Sequence, residues 1–546
     1  MGSRILYFSD RTWSHINSIL LIRYVFRVSC EFAIWDGTFP LTISQEKTSF
    51  CYGVKFVNKT LSAWLVLGIN ACFLTLSGLS AQSTKDILAG LIDQNANTYE
   101  TVAQEIWELA EVGYMENESS EMLQGLLRSA GFEVASGVAG IPTAFVASYG
   151  EGGPIIGIMG EYDALPGITQ SRSAERDPIL RKIAGHACGH HLFGTGSVAA
   201  AVAVKDWLEK TGAPGTIRVY GTPAEEGGAG KVYMVREGLM DDVDVMLHWH
   251  AGSQNEANAE SSLANKSGKF RFYGQSAHAA GAPWRGRSAL DGVEAMHSMV
   301  NMMREHVTPA TRIHYVVTAG GSAPNVIPDF AESYIYVRHP DPNEVRRMFD
   351  WVAEIAKGAA MGTETRVEHE VIHGIYNVLP NEALGRVMHA NLTAVGGVEY
   401  TEEEHQYAEM IQTSFPEGVP PIERAMVIEP FEVVEVGTGG STDVGDVSWT
   451  VPTAGLSTAT WVPGTSAHSW QAVAAGGTDI GNKGMINAAK ALAFTMYDLF
   501  TEPSLIEAAQ EEFFRRRGPD YVYEPLVGDR EPPLDYRASV VGNGNN

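Results

Sequence analysis

The sequence predicts an α/β protein in which a mixed sheet flanked by helices is interrupted by a smaller βαββαβ unit. Three observations carry this. Short β-branched strands end in turns rich in Glu and His, GTIRVYGTPAEEGG (215–228) and DVDVMLHWHAG (242–252), and open α/β sheets present their sites at such strand ends. An Ala-rich apolar stretch, His191 to Leu208, reads as a helix entered through the tight Gly-flanked turn GHACGHH (185–191). Between these landmarks and the C-terminal third runs a strand (Lys269 to Tyr273), a helix (Ser288 to His306), two strands (Arg312 to Thr318 and Glu332 to Arg338), a helix (Pro342 to Ala360) and a strand (Arg366 to His373). That order is a split βαβ, ferredoxin-like unit. The methionines of its first helix, Met296, Met302 and Met303, are expected to pack.

The chain has 546 residues and a formal net charge of -26, enough length for two or more cores and enough acidity to repel nucleic acid and anionic membranes. An anionic substrate would therefore need a local cationic clamp. Lys55 to Lys59, the apolar run Leu61 to Leu79 and the small-residue site Ser80, Ala81, Gln82 read as a signal peptide over 55–81, cleaved after Ala81. The expected location is periplasmic or secreted, with no stable membrane partner once the signal is cleaved. An uncleaved N-terminal anchor is the alternative. Residues 1–54 read as a leader or non-native segment. Cys30, Cys51 and Cys72 fall in the removable region, so the mature chain would keep Cys188 alone and need no disulfide framework.

GHACGHH packs a thiol and three imidazoles into seven residues, and two adjacent carboxylates, Glu225 and Glu226, follow on the next strand turn. A divalent ion of zinc type accepts thiolate, imidazole and carboxylate together, whereas a structural cluster would bring several cysteines. The set points to a catalytic metal with a place for water and one of the two glutamates as base. Of the histidines ending the next strand, His248 and His250 share a face, so spacing alone does not choose between them. His468 follows a Gly/Pro turn. A nucleophilic Cys188 at a helix N-terminus is the competing reading, and it leaves the glutamate pair unexplained.

GEYDALPG (160–167), GHACGHH, TPAEEGG, DVMLHWH, GQSAHAAGAP (274–283), APNVIP (323–328), STDVGDVSW (441–449) and GTSAHSWQ (464–471) occur in the order of the metal-dependent aminoacylase and carboxypeptidase G family. The chain resembles its amidohydrolase branch, whose members cleave hippurate, indole-acetyl amino acids and aminobenzoyl-glutamate. The resemblance spans about residues 85 to 515. It implies a zinc-peptidase-like catalytic domain in two parts, 85–265 and 377–515, around a lid and dimerisation domain, 266–376, with a tail at 516–546. It implies one or two divalent ions, Zn or Mn, held by Cys188, His190, Glu226, His250 and His468, with Glu225 as general acid/base. Asp163 would orient a ligand from behind.

In the lid, His278 resembles the histidine that reaches a partner subunit's site and stabilises the oxyanion, and Asn325 and Arg338 resemble residues that hold a substrate carboxylate. The implied partners are a small N-acyl or N-aroyl amino acid and a second copy of the chain, or a paralogue in a heterodimer. The alternatives are a dipeptidase or aminoacylase acting on other acyl amino acids, and a catalytically weak or non-catalytic metal-binding subunit of a two-subunit hydrolase.

Two positions depart from the family. Glu161 stands where many relatives carry a ligand histidine, leaving the metal count open, and His191 stands where the branch commonly has Asp, and is expected to be a helix-start residue. The acidic, Gly/Pro-containing stretch 401–440 reads as an insertion, its GTGGS lacking the lysine of a phosphate loop. The Pro-, Arg- and Asp-rich tail from Arg515 is expected to be an extended or disordered arm.

Overall fold

The computed structural model describes residues 83–538, apart from 417 and 438. The signal segment 55–81, the segment 1–54 and the last residues of the tail, 539–546, lie outside the described residues. Among those described, no helix is long and apolar enough to cross a membrane.

The described residues open with helix α1 (Thr84–Leu109), whose Ser83 cap accepts from Asp86 N while Asp86 accepts from Ser83 N. Strands β1 (Glu133–Ser136), β2 (Phe145–Glu151) and β3 (Ile155–Gly160) follow, then α2 (His190–Thr211), β4 (Gly215–Gly221) and β5 (Val245–Gly252). A second unit runs β6 (Ala264–Tyr273), α3 (Ala289–Met303), β7 (Arg312–Ala319), β8 (Phe330–His339), α4 (Pro342–Gly362) and β9 (Arg366–Ile375). The chain then contributes β10 (Thr453–Ala459), α5 (Asp479–Thr501) and α6 (Pro503–Arg517).

The first sheet has six strands in the order β1-β2-β4-β3-β5-β10. The outer pairs β1/β2 and β2/β4 are antiparallel, while β4, β3, β5 and β10 run parallel. It is the mixed sheet the sequence implied. Alternation sends Ile158, Val219 and Leu247 into a core with α1, α2 and α5, and sends Met159, Tyr220 and Met246 into a core on the other face. Trp249 is fully buried and its indole N–H donates to Phe193 O at 3.0 Å. Emptying that position would cost about 3–5 kcal/mol.

The second sheet has four antiparallel strands in the order β7-β8-β6-β9, with α3 and α4 packed on it around Phe270, Phe272, Ile335, Val337 and Phe349. Met296 and Met303 belong to this core. Met302 does not: it is 66 % exposed, because its position on α3 turns to the outer face, and the expectation that it packs fails. In the stretch 401–440, helix Glu402–Gln412 carries a Thr401/Glu404 capping box and Val433–Val434 pairs with Ala259–Glu260.

The tail corrects the sequence reading more sharply. Over the described residues 518–538 the chain packs against the rest of the protein. Leu526 and Val527 are buried, Tyr523 donates to Asp446 Oδ1 at 2.7 Å, and Arg530 donates to Val371 O at 2.6 Å and Ile372 O at 2.8 Å on β9. Composition suggested disorder, but spaced aromatic and aliphatic residues give this segment an apolar side to bury.

Candidate metal centre and active site

The parallel strands bring the chemistry to one edge. Glu161 and Asp163 follow the C-terminal end of β3, Glu225 and Glu226 follow β4, His250 lies near the end of β5 and His468 follows β10. Cys188 and His190 sit at the start of α2. Gly189 between them has φ 74°, and a Cβ there would lie 2.3 Å from Ala251 Cβ, so only glycine lets the turn close on β5.

Three groups of donors converge: Cys188, His190 and His250; Cys188, Glu226 and His468; and Glu161, His190 and Glu225, the ligand atoms within each group lying within 4.8 Å of one another. Cys188 and His190 each belong to two of them. The tautomers suit ligation. His190 Nδ1 meets Asp163 Oδ1 at 2.9 Å and His250 Nδ1 meets Ala251 O at 2.8 Å, so each ring keeps Nε2 for the centre. His250 Nε2 lies 3.5 Å from Cys188 Sγ. His248, two residues back, packs instead on Gly455 of β10, and burial pushes its imidazole down to about 4.

Asp163 stands behind the donors. Its second oxygen accepts from Glu226 N at 2.9 Å, so one carboxylate fixes both a ring and a turn. His191 is buried away from the three groups, its Nε2 2.9 Å from Gly476 O, and burial pushes it down to about 3.

The electrostatics are those of a built ionic site. Against the cost of burial, Lys231 and His190 hold the Glu161 carboxyl well below the usual range. Burial, then Glu161 and Glu226, push Glu225 well above it, as a proton-handling carboxyl requires. Burial also pushes the Cys188 thiol up, the reverse of what an autonomous nucleophilic cysteine needs. Glu226 is held below its ordinary range, against burial, by the His468 imidazole beside it, whose Nε2 lies 3.2 Å from Glu226 Oε1.

Whether a cation suits this donor set can be read from its unsatisfied atoms. Glu161 Oε2, His190 Nε2 and Glu226 Oε1 are all buried with no hydrogen-bond partner among the described residues. Buried acceptors without donors are costly, and soft and hard donors mixed in this way suit a zinc-type ion. The residues fit the metal.

Several contributors were not singled out from the sequence. Lys231, fully buried, reaches Glu161 Oε1 and Asp443 Oδ1 at 2.6 Å each. Glu116, also fully buried, accepts from Ala224 N at 2.8 Å and from Thr143 Oγ1 at 3.1 Å, supporting the Glu225–Glu226 turn at a residue with φ 59°. Asp443 lies in the quoted STDVGDVSW, a signal that could have found it; Glu116 and Lys231 had none.

The remaining candidates lie on the second unit. His278 and Asn325 are exposed on adjacent loops, paired through Ala279 N to Asn325 O at 3.0 Å and the bridge from His278 to Val326. Neither is among the converging donors of its own chain. Arg338 on β8 donates to Ser441 Oγ at 3.3 Å and neighbours the buried His373.

The chain matches the model of peptidase family M20/M25/M40 over residues 157–471. It is 40% identical to one of the subunits of p-aminobenzoyl-glutamate hydrolase from Escherichia coli K12, over 77% of this chain and 93% of that protein. It is 29% identical to mouse Xaa-Arg dipeptidase, over 80% of this chain and 94% of that protein. A dinuclear metal-binding peptidase from Bacillus subtilis superposes with a TM-score of 0.51 at 16% identity, over 75% of this chain and 99% of the other, a likeness of fold.

Proposed function

The chain belongs to peptidase family M20/M25/M40 and is a hydrolase of amide bonds, and from that premise we propose that it cleaves N-acyl or N-aroyl amino acids of the p-aminobenzoyl-glutamate kind. The observation that carries the proposal is the convergence of the buried ligand atoms Glu161 Oε2, His190 Nε2 and Glu226 Oε1, without hydrogen-bond partners among the described residues, beside Cys188, His250, His468 and Glu225.

In this reading Cys188, His190, Glu226, His250 and His468 hold one or two divalent ions, Zn or Mn. Shared use of Cys188 by two donor groups favours two, as does the dinuclear Bacillus protein of the same fold. The bound cation supplies Lewis acidity, lowering the pKa of a water and polarising the scissile carbonyl. Glu225 removes the proton from the attacking water and returns it to the leaving amine. Asp163 keeps His190 and the Glu226 turn in register. Arg338 and Asn325 hold the substrate's carboxylate, answering the need of a chain with net charge -26 for a local cation.

His278, exposed on its own chain, acts across a dimer interface on the partner's oxyanion, in a homodimer or in a heterodimer with a paralogue; that the Escherichia coli relative is named as one subunit of its enzyme favours weighing the second. The signal reading of residues 55–81 makes the compartment periplasmic or extracellular. The test is to incubate the purified chain alone with p-aminobenzoyl-glutamate and a panel of N-acyl amino acids. Release of the amino acid that stops with chelator and returns with Zn or Mn supports the proposal. A metal-loaded but inert chain sinks it in favour of a non-catalytic role in a two-subunit enzyme.

A further inference from the structure

We infer that the C-terminal segment 519–538 is part of the active-site framework, with Tyr536 and Arg537 as positioning residues for the turn that carries Glu225 and Glu226. The inference rests on the reading of Glu226 as a metal ligand and extends it to a region that the motifs do not reach.

The turn is an unfavourable piece of backbone. Ala224 and Ala229 have φ 59° and 60°, a region that side chains with a Cβ enter only when their surroundings hold them there. Polar side chains hold it from several sides. Glu116 accepts from Ala224 N at 2.8 Å, Asp163 accepts from Glu226 N at 2.9 Å, and Tyr114 donates its hydroxyl to Gly228 O at 2.7 Å. The Glu226 carbonyl is the remaining handle. It accepts from the Tyr536 hydroxyl at 3.2 Å and from Arg537 Nη2 at 2.6 Å. With its N–H on Asp163 and its C=O on the C-terminal segment, residue 226 is fixed at both of its peptide groups, and its side chain can swing only about its own χ angles.

The segment is built to deliver these two residues. The Tyr536 ring packs edge-on against Tyr114 with centroids 5.6 Å apart, and its hydroxyl comes so close to Gly113 that a Cβ there would lie 2.3 Å away. The Arg537 guanidinium lies over the Tyr536 ring, 4.7 Å from its centroid. Upstream, Arg530 ties the same segment to β9, and Arg236 donates to Arg530 O at 2.6 Å. The segment therefore links β9 of the second unit to the ligand-bearing turn of the first. A cationic donor on a ligand residue's carbonyl places the turn without touching substrate, and supporting partners of this kind typically set metal affinity by about 10- to 100-fold.

The test compares Arg537→Ala, Arg537→Lys, Tyr536→Phe and Arg530→Ala in the full chain. Readouts are the apparent Kd for Zn by competition with a chelator, kcat and KM, and Tm. Arg537→Ala should weaken Zn by about 10- to 100-fold and lower kcat with KM unchanged within about twofold, and Arg537→Lys should recover part of both. Tyr536→Phe removes one hydroxyl and keeps the ring on Tyr114, so it reads the same contact in a chain that folds; a loss of about two- to tenfold in Zn affinity is expected. Arg530→Ala, which loosens the segment without touching the Glu226 carbonyl, should lower Tm and weaken Zn by less than Arg537→Ala does. Zn affinity unchanged in Arg537→Ala, or lost equally in Arg530→Ala, overturns the inference. Glu226→Gln separates it from the reading beneath it: if that variant keeps its metal, the ligand assignment fails; if it loses metal while Arg537→Ala does not, the positioning role alone fails.

Discussion

His190 and Glu161 face each other across 3.0 Å, Nε2 to Oε2, in a space closed to solvent, and neither atom has a hydrogen-bond partner among the described residues. The other nitrogen of His190 is engaged by Asp163, which leaves a ring lone pair turned toward a carboxylate. Two electron-rich atoms stay that close when a proton or a cation stands between them. Lys231, itself paired with Asp443, holds the far oxygen of Glu161, so the carboxylate cannot turn away without taking a partner from a buried ammonium.

Glu161→Gln therefore separates cation from proton. If the facing pair binds metal, the variant should lose at least about tenfold in metal affinity, seen as a lower metal-to-protein ratio by elemental mass spectrometry after dialysis. An unchanged ratio would mean that the two side chains share a proton.

The paired glutamates should divide by role. Glu225→Gln is expected to keep its metal and lose roughly two to four orders of magnitude in kcat, the range for a lost general base. Glu226→Gln is expected to lose metal. Equal metal loss in both would contradict the division.

Chelation should abolish activity, and Cys188→Asp should keep part of it once Zn or Mn is supplied, because carboxylate still ligates. A nucleophilic thiol behaves otherwise. An acyl-thioester trapped on Cys188, or full activity in strong chelator, would refute the metal assignment.

Burial pushes Asp446 from 3.8 to about 7, although Tyr523 and Tyr376 N donate to it. A folded-state value above the unfolded one means that the folded chain holds this proton more tightly. The contribution to stability is full below about pH 4 and is lost as pH rises toward 7, by up to about 4 kcal/mol. Asp446→Asn should remove this slope. Denaturant midpoints measured from pH 4 to 8 should converge between the two proteins at the acid end and separate in favour of Asn at neutral pH; parallel curves would count against it.

Mixing Glu225→Ala and His278→Ala chains tests whether His278 serves a partner. In a heterodimer the protomer with intact Glu225 receives an intact His278, so up to half of the wild-type activity per dimer should return. No recovery, with exchange shown by native mass spectrometry, would confine His278 to its own chain.

Much of the candidate centre was legible because its converging donors travel in short motifs. Cys188 and His190 are two residues apart, Glu225 and Glu226 adjacent, and His248 and His250 share one face of a strand end, where the family resemblance and not alternation preferred His250. Parallel strands bring such ends together whatever lies between them. What was not legible depends on pairs far apart in sequence: Lys231 with Glu161 and Asp443, Glu116 with Ala224, and Arg537 with Glu226. A buried lysine has no local signature, since its charge reads as surface until the partners that neutralise it are known. The tail misled for a related reason. Its prolines and arginines suggested an unpacked arm, while Tyr523, Leu526 and Tyr536 supplied the apolar contacts that hold it down.

The placement of β10 has a consequence for the order of biosynthesis. This strand pairs with β5, beside the histidine it bears, yet it is made only after the whole second unit, and His468 comes later still. A chain emerging from the ribosome carries Cys188, His190, Glu226 and His250 well before the edge of β5 is covered, and α5, which closes the core over α2, arrives after that. Completion of the sheet must wait on a long loop closure, which is slow for non-local pairing. Until then the nascent chain would carry a half-built set of candidate metal donors beside an open strand edge, open to mismetallation and to pairing with neighbouring chains.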